Sequence, residues 1–254
     1  GDASCGSRYV PTPETVRRMS EGLRARIDEA VKIQDLVGVH NAFASYSYLM
    51  TVFHTGQRAV SWPFALAFEF DPVEQVMIIS DKDADDYHSC RLAWVPASVG
   101  QQIEAYGRHL VALMERLPWL DLAAARRMRT QDCYPRIPAR REASIDLRHE
   151  RIPFLFWLDE DGSPVEFRPR EYQSQYWNPF TSLPVNANRH YVRTELVLHG
   201  CPRDVIDAHM GHWTRGLEPF GRFSTLSPAL AAQHLLPILE KLFARDGWRV
   251  RESP

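Results

Sequence analysis

Apolar residues recur at helical spacing through most of this chain. Val16, Met19, Leu23, Ile27 and Val31 lie three or four apart, the interval that gathers side chains on one helix face. Thr12, Pro13 and Glu14 suit the start of that helix. Thr caps, Pro tolerates the first turn, and an acid sits near the positive end of the dipole. Residues before it are polar and rich in Gly, Ser and Pro, and read as a loose leader. A second helix is expected over roughly 36–54 through Leu36, Val37, Ala42, Tyr46, Leu49 and Met50, ended by Gly56.

The pattern then changes period. Phe64 to Phe70 alternates weakly, residues 76–79 are β-rich, and 91–95 form the natural return strand before Pro96, across a polar connection from Asp81 to Ser89. Helical spacing resumes from about Ala97 to Leu117, with Ile103, Tyr106, Leu110 and Leu113 on one face. Residues 118–151 are irregular and Arg-rich. A short hairpin is expected from Phe154 to Phe167, turning at Asp161 and Gly162. Two helices over Asn188–Leu198 and Pro202–His209 flank Gly200, and a last helix spans Ser227 to Arg245 with Leu230, Leu235, Ile238, Leu239 and Leu242. The fold class expected is α+β, mainly helical, with a small antiparallel sheet.

Composition adds limits. The 254 residues are 44% hydrophobic and 24% charged, enough for a core without disulfide or metal staples. No apolar run nears the ~20 residues of a membrane helix, and no secretory pattern opens the chain. No membrane partner and a cytoplasmic location are therefore expected. Cys5, Cys90, Cys133 and Cys201 are far apart and read as reduced thiols. The formal net charge of −2 argues mildly against nucleic-acid binding. The distribution argues the other way: Arg126, Arg127, Arg129, Arg136, Arg140 and Arg141 crowd a stretch with Asp132 as its one acid. Arg suits bidentate phosphate contacts, although a solvated helix face and loop explains the cluster equally well.

Five segments, in order, resemble the catalytic parts of the tyrosine recombinase (phage integrase) family. His54 through Ser61 contains Thr55, Gly56 and Arg58 and resembles the family's Thr-Gly-x-Arg helix exit, with Ser61 where a Glu is usual. Lys82, at the tip of the 76–95 hairpin, resembles the family's hairpin lysine; paired with Asp81, Asp83, Asp85 or Asp86 it would be merely a solvated lysine. Asn186, Ala187, Asn188, Arg189 and His190 resemble His-x-x-Arg-His with Asn first. Reading His190 and Arg193 as the His-x-x-Arg pair leaves too short a run to Gly200 and Gly211. Met210, Gly211 and His212 resemble Leu-Gly-His; His209, His212 and Cys201 have zinc-ligand chemistry, but at no familiar zinc spacing. Gly221 through Ser227 resembles the segment that carries the nucleophilic tyrosine, and there the chain has Phe223. Phe220 is the other candidate position, and no tyrosine follows Tyr191.

The resemblance implies a recombinase-like catalytic domain over residues 36–254, preceded by a leader and N-terminal helix over 1–35. The family's helical DNA-clamping domain is expected to be missing or removed. Arg58 and Arg189 would clamp the phosphate, His212 and Asn186 would contact it, and Lys82 would protonate the leaving oxygen. Fixed guanidiniums stabilise the charge that builds on a pentacoordinate phosphorus, so this chemistry needs no metal or cofactor. Arg126, Arg127, Arg129, Arg140 and Arg141 would follow the backbone of double-stranded DNA, with nucleoid association if the chain is bacterial, and self-association on DNA is expected, with 227–245 a candidate exchanging helix. Phe223 has no nucleophilic atom, so this chain is expected to form no phosphotyrosine. A DNA-binding protein without chemistry, or a helical interaction protein unrelated to DNA, are the competing readings.

Overall fold

The computed structural model describes residues 10–58, 70–80, 90–117, 154–165, 183–184, 186–213, 216, 218–221 and 224–254. The first helix, α1 (Pro13–Lys32), starts where Thr12 Oγ1 accepts the Thr15 amide at 3.2 Å. Val16, Met19, Leu23 and Ile27 are fully buried, whereas Val31 is 43% exposed, so the apolar stripe ends one turn early. The chain reverses through Gln34, in the left-handed region at φ 58, and Asp35 Oδ1 caps the next helix on Gly38 N at 2.9 Å. That helix, α2 (Leu36–Thr55), is buried on almost every side from Val39 onward. A helix apolar all round belongs at the centre of a fold, and α2 touches α1, the sheet, and most of the later elements.

A three-stranded antiparallel sheet follows, in the order β1 (Phe70–Asp71), β2 (Val76–Ser80), β3 (Cys90–Trp94), with Ile78 opposite Leu92 and Ile79 opposite Arg91. Helix α3 (Ala97–Arg116) buries Val99, Ile103, Tyr106, Leu110 and Leu113. A short hairpin, β4 (Trp157–Leu158) and β5 (Pro164–Val165), is tied to α2 by Asn41. The Asn41 amide donates to Leu158 O and accepts from Leu158 N, both at 2.8 Å, standing in for a neighbouring strand.

Helices α4 (Ala187–Leu198), α5 (Arg203–Met210) and α6 (Pro228–Arg245) complete the body. Leu235, Leu239 and Leu242 of α6 are fully buried, while Leu230 is 40% exposed. The helix packs within its own chain against α2, α3, α5 and β3. The described elements are thus mainly helical with a small antiparallel sheet. Among them no helix is long and apolar enough to cross a membrane.

The nine residues after α6 form a packed tail that helical periodicity does not reveal. Gly247 turns the chain at φ 72, and Trp248 is buried against Tyr46 and Phe53, with ring centroids 5.5 and 6.4 Å away. Tyr46 Oη donates to Arg249 O at 2.7 Å and accepts from Arg249 N at 3.0 Å. Gln102 Oε1 accepts the Arg251 amide at 2.8 Å. Farther along, proton positions follow from one fixed acceptor. His40 Nε2 donates to Phe156 O at 3.0 Å. Its Nδ1 therefore accepts from His109 Nε2 at 3.2 Å, and His109 Nδ1 accepts the Ser253 hydroxyl at 3.1 Å.

Candidate anion-binding site

The C-terminal ends of α2 and α5 face each other across the start of α4. Helix C-termini expose carbonyls with partial negative charge, so buried cations are stabilising there. Two arginines supply that charge. Arg91 of β3, 4% exposed, donates through Nη1 to Thr55 O at 3.1 Å and to His209 O. Arg189 of α4, 6% exposed, donates to the next carbonyl on each helix, Gly56 O at 2.6 Å and Met210 O at 2.8 Å. Asn188 Nδ2 adds Val52 O at 3.0 Å and Gln57 O at 2.7 Å.

His209 completes the tie. Its Nδ1 accepts the Trp94 amide at 3.2 Å, so the ring proton is on Nε2, which donates to His54 O at 2.9 Å. Burial, with Arg91 beside it, pushes His209 down to about 3, and the ring is neutral. Both ring nitrogens are spent on backbone, which removes His209 from the ligand set considered with His212 and Cys201. Among the described residues no cluster of His, Cys, Asp and Glu is arranged to hold a metal ion.

These ties place two turns that present the site. Gly56 ends α2 at φ 61, and Arg58 follows one residue after the anchored Gln57. Gly211 ends α5 at φ 69; its amide returns to Ala208 O at 3.3 Å and the His212 amide to Asp207 O at 2.8 Å. This paired closure needs a left-handed residue. A side chain on Gly211 would also meet Arg91 Cδ at 2.7 Å.

His212 then emerges at the surface with Nε2 3.0 Å from Arg189 Nη2. A guanidinium can only donate, so Nε2 is the acceptor and the ring proton sits on Nδ1. Partial burial, then Arg189, Arg193 and Arg58, push the His212 imidazole down to about 4, with Asp207 pulling the other way. Partial burial, followed by Arg189 and Arg193, also lowers His190. In a chain of net charge −2, the charges of Arg189, Arg193 and Arg58 all act on one exposed imidazole. This arrangement is suited to an oxyanion.

Of the residues expected from sequence, Arg189 and His212 are in contact, and the charge of Arg58 acts on the same imidazole. Asn186 lies at the first turn of α4, left-handed at φ 72, its carbonyl accepting the Arg189 amide at 3.0 Å. Its side chain makes no helix-capping bond. His190, the next residue, is half-buried. Phe220, half-buried, packs edge-on against the core residue Trp94, centroids 5.7 Å apart. Lys82, Phe223, Arg126, Arg127, Arg129, Arg140 and Arg141 lie outside the described residues.

Sequence reasoning missed Arg91, Asn188 and the structural role of His209, and set Arg193 aside. The one available signal for Arg91 is a charge inside an otherwise apolar strand. Comparison of the chain with protein-family models, with curated proteins and with solved structures gives no match in any of the three.

Proposed function

We propose that this chain is a tyrosine-recombinase-like domain that holds duplex DNA by a backbone phosphate at Arg58, Arg189 and His212. In this reading Phe223 leaves it without the nucleophile that cuts the strand. The observation that carries the proposal is the contact between Arg189 and His212, at 3.0 Å, with the charge of Arg58 acting on the same imidazole. They come from three segments that the motif order had already paired with phosphate contacts.

The parent reaction is metal-free. A tyrosine oxygen attacks phosphorus as its proton passes to solvent, the 5′-oxygen leaves with a proton from Lys82, and reversal of the step rejoins a strand. Arg58 contacts non-bridging oxygens, and Asn186 adds an amide donor. Arg126, Arg127, Arg129, Arg140 and Arg141 track the duplex, on which copies of the chain associate. The test is Phe223→Tyr on a nicked suicide duplex. The expected result is a covalent protein–DNA adduct, absent with Phe223. Binding of a site without any adduct removes the strand-transfer reading.

A second reading, a DNA-binding protein whose site does not regain strand transfer with a tyrosine at position 223, is favoured by one feature. The Arg189 fork is already occupied by the Gly56 and Met210 carbonyls, so its contribution is placement and field more than a bidentate grip.

A further inference from the structure

The bond between Arg189 and His212 has a consequence for protons. All three guanidinium nitrogens of Arg189 are donors, and Nη2 lies 3.0 Å from His212 Nε2. That contact exists only while the imidazole is neutral with its lone pair on Nε2. A protonated ring would set N–H against N–H and leave the two groups repelling. The groups facing the ring are Arg189 and Arg193 from α4, Arg58 from the turn after α2, and Asp207 from α5. Three cations oppose a second proton and one carboxylate favours it.

An oxyanion reverses this balance. It brings negative charge among the cations and offers oxygen acceptors beside a ring that solvent already reaches. Resting on the proposed phosphate site, we propose that His212 takes up one proton when an oxyanion binds, exchanging the hydrogen bond it accepts from Arg189 for one it donates to the anion. The proton comes from solvent, lands on Nε2, and leaves again with the anion. The site is therefore a proton-coupled latch: acidification tightens it, and release of the anion restores the Arg189–His212 contact.

The prediction separates from general charge attraction, because permanent cations bind anions without moving protons. Below neutrality, down to the free-state value of about 4, affinity should rise by up to about tenfold per pH unit. Sulfate and a short DNA duplex are suitable probes, since neither changes its backbone charge between pH 5 and pH 8, roughly the usable range.

The experiment is calorimetric titration of the full chain at low salt and about pH 6, in buffers of different ionisation enthalpy, which counts protons. The expected result is uptake approaching one proton per anion. His212→Gln, which keeps an acceptor toward Arg189, should abolish the uptake, and His190→Gln should leave it. Binding of either probe without uptake, or uptake that survives His212→Gln, overturns the latch and leaves the phosphate site standing. Failure of both probes to bind overturns the site and the latch together.

Discussion

Arg91 and Arg189 hold the same two helix ends one residue apart: Arg91 takes the carbonyls of Thr55 and His209, and Arg189 those of Gly56 and Met210. The two guanidiniums act as rungs between the ends of α2 and α5. Together they bring the turn that leads to Arg58 close to the turn that leads to His212.

Removing one rung should therefore loosen the site and weaken the fold. Arg91→Ala leaves two buried carbonyls without their cationic donor, and is expected to cost about 2–4 kcal/mol in urea unfolding. Arg91→Lys restores the charge but not the planar fork, and should recover only part of that loss. Wild-type stability in Arg91→Ala would show that the rung carries no strain-free support at all.

Two glycines with nearly equal backbone angles should respond differently to substitution. Gly200 has φ 73 and open space where a side chain would go; Gly211 has φ 69 and Arg91 at 2.7 Å. Gly200→Ala should cost about 1 kcal/mol, the left-handed penalty alone. Gly211→Ala should cost clearly more, and should weaken anion binding by shifting His212. Equal losses at the two positions would contradict the packing argument.

Acid should unfold the protein early. Among the described residues His40, His54, His109 and His209 are buried. Burial is the first cause in each case, holding His54 and His109 at about 4, His209 at about 3, and His40 well below its ordinary value. The unfolded chain protonates these rings near the ordinary value of about 6.5. Stability is therefore full above that pH and falls as pH drops toward the folded values, where the loss levels off. Each ring adds a slope of up to about 1.4 kcal/mol per pH unit. Asp246, whose carboxyl burial raises, works in the opposite sense but is one group against four. Melting temperature between about pH 7 and pH 4.5 reads this out; a flat profile would mean the rings are not held neutral.

The tail should matter more than its sequence suggests. Trp248→Ala is expected to cost about 3–5 kcal/mol. Tyr46→Phe, which strands the Arg249 amide and carbonyl, should cost about 1–3 kcal/mol. Chemical denaturation of both variants measures it, and losses near zero would mean that residues 246–254 merely lie on the surface.

The helices were legible because burial on one face imposes a period, as in Val16, Met19, Leu23 and Ile27. Caps such as Thr12 fix their starts. Gly56 and Gly211 were legible because a left-handed helix end strongly favours Gly. Motif order, not any local pattern, pointed to Arg189 and His212, which lie 3.0 Å apart. What stayed hidden depends on distant partners. Arg91 satisfies carbonyls on two helices, His209 joins a strand amide to a helix end, and Tyr46 pairs with backbone beyond α6. Periodicity carries no trace of such bonds, because the partner is backbone and has no identity in the sequence. Val31 and Leu230 fit the helical period yet are exposed, since their helix faces run past the core at those ends.

The central claim, a phosphate site at Arg58, Arg189 and His212, is tested most directly by the salt dependence of binding to a short DNA duplex. Each phosphate contact releases counterions and adds about one unit to the slope of log affinity against log salt. The wild-type chain should bind at low salt with a steep slope, and Arg58→Ala should bind more weakly with the slope reduced by about one. No binding at low salt, or identical affinity and slope in Arg58→Ala, would contradict the account.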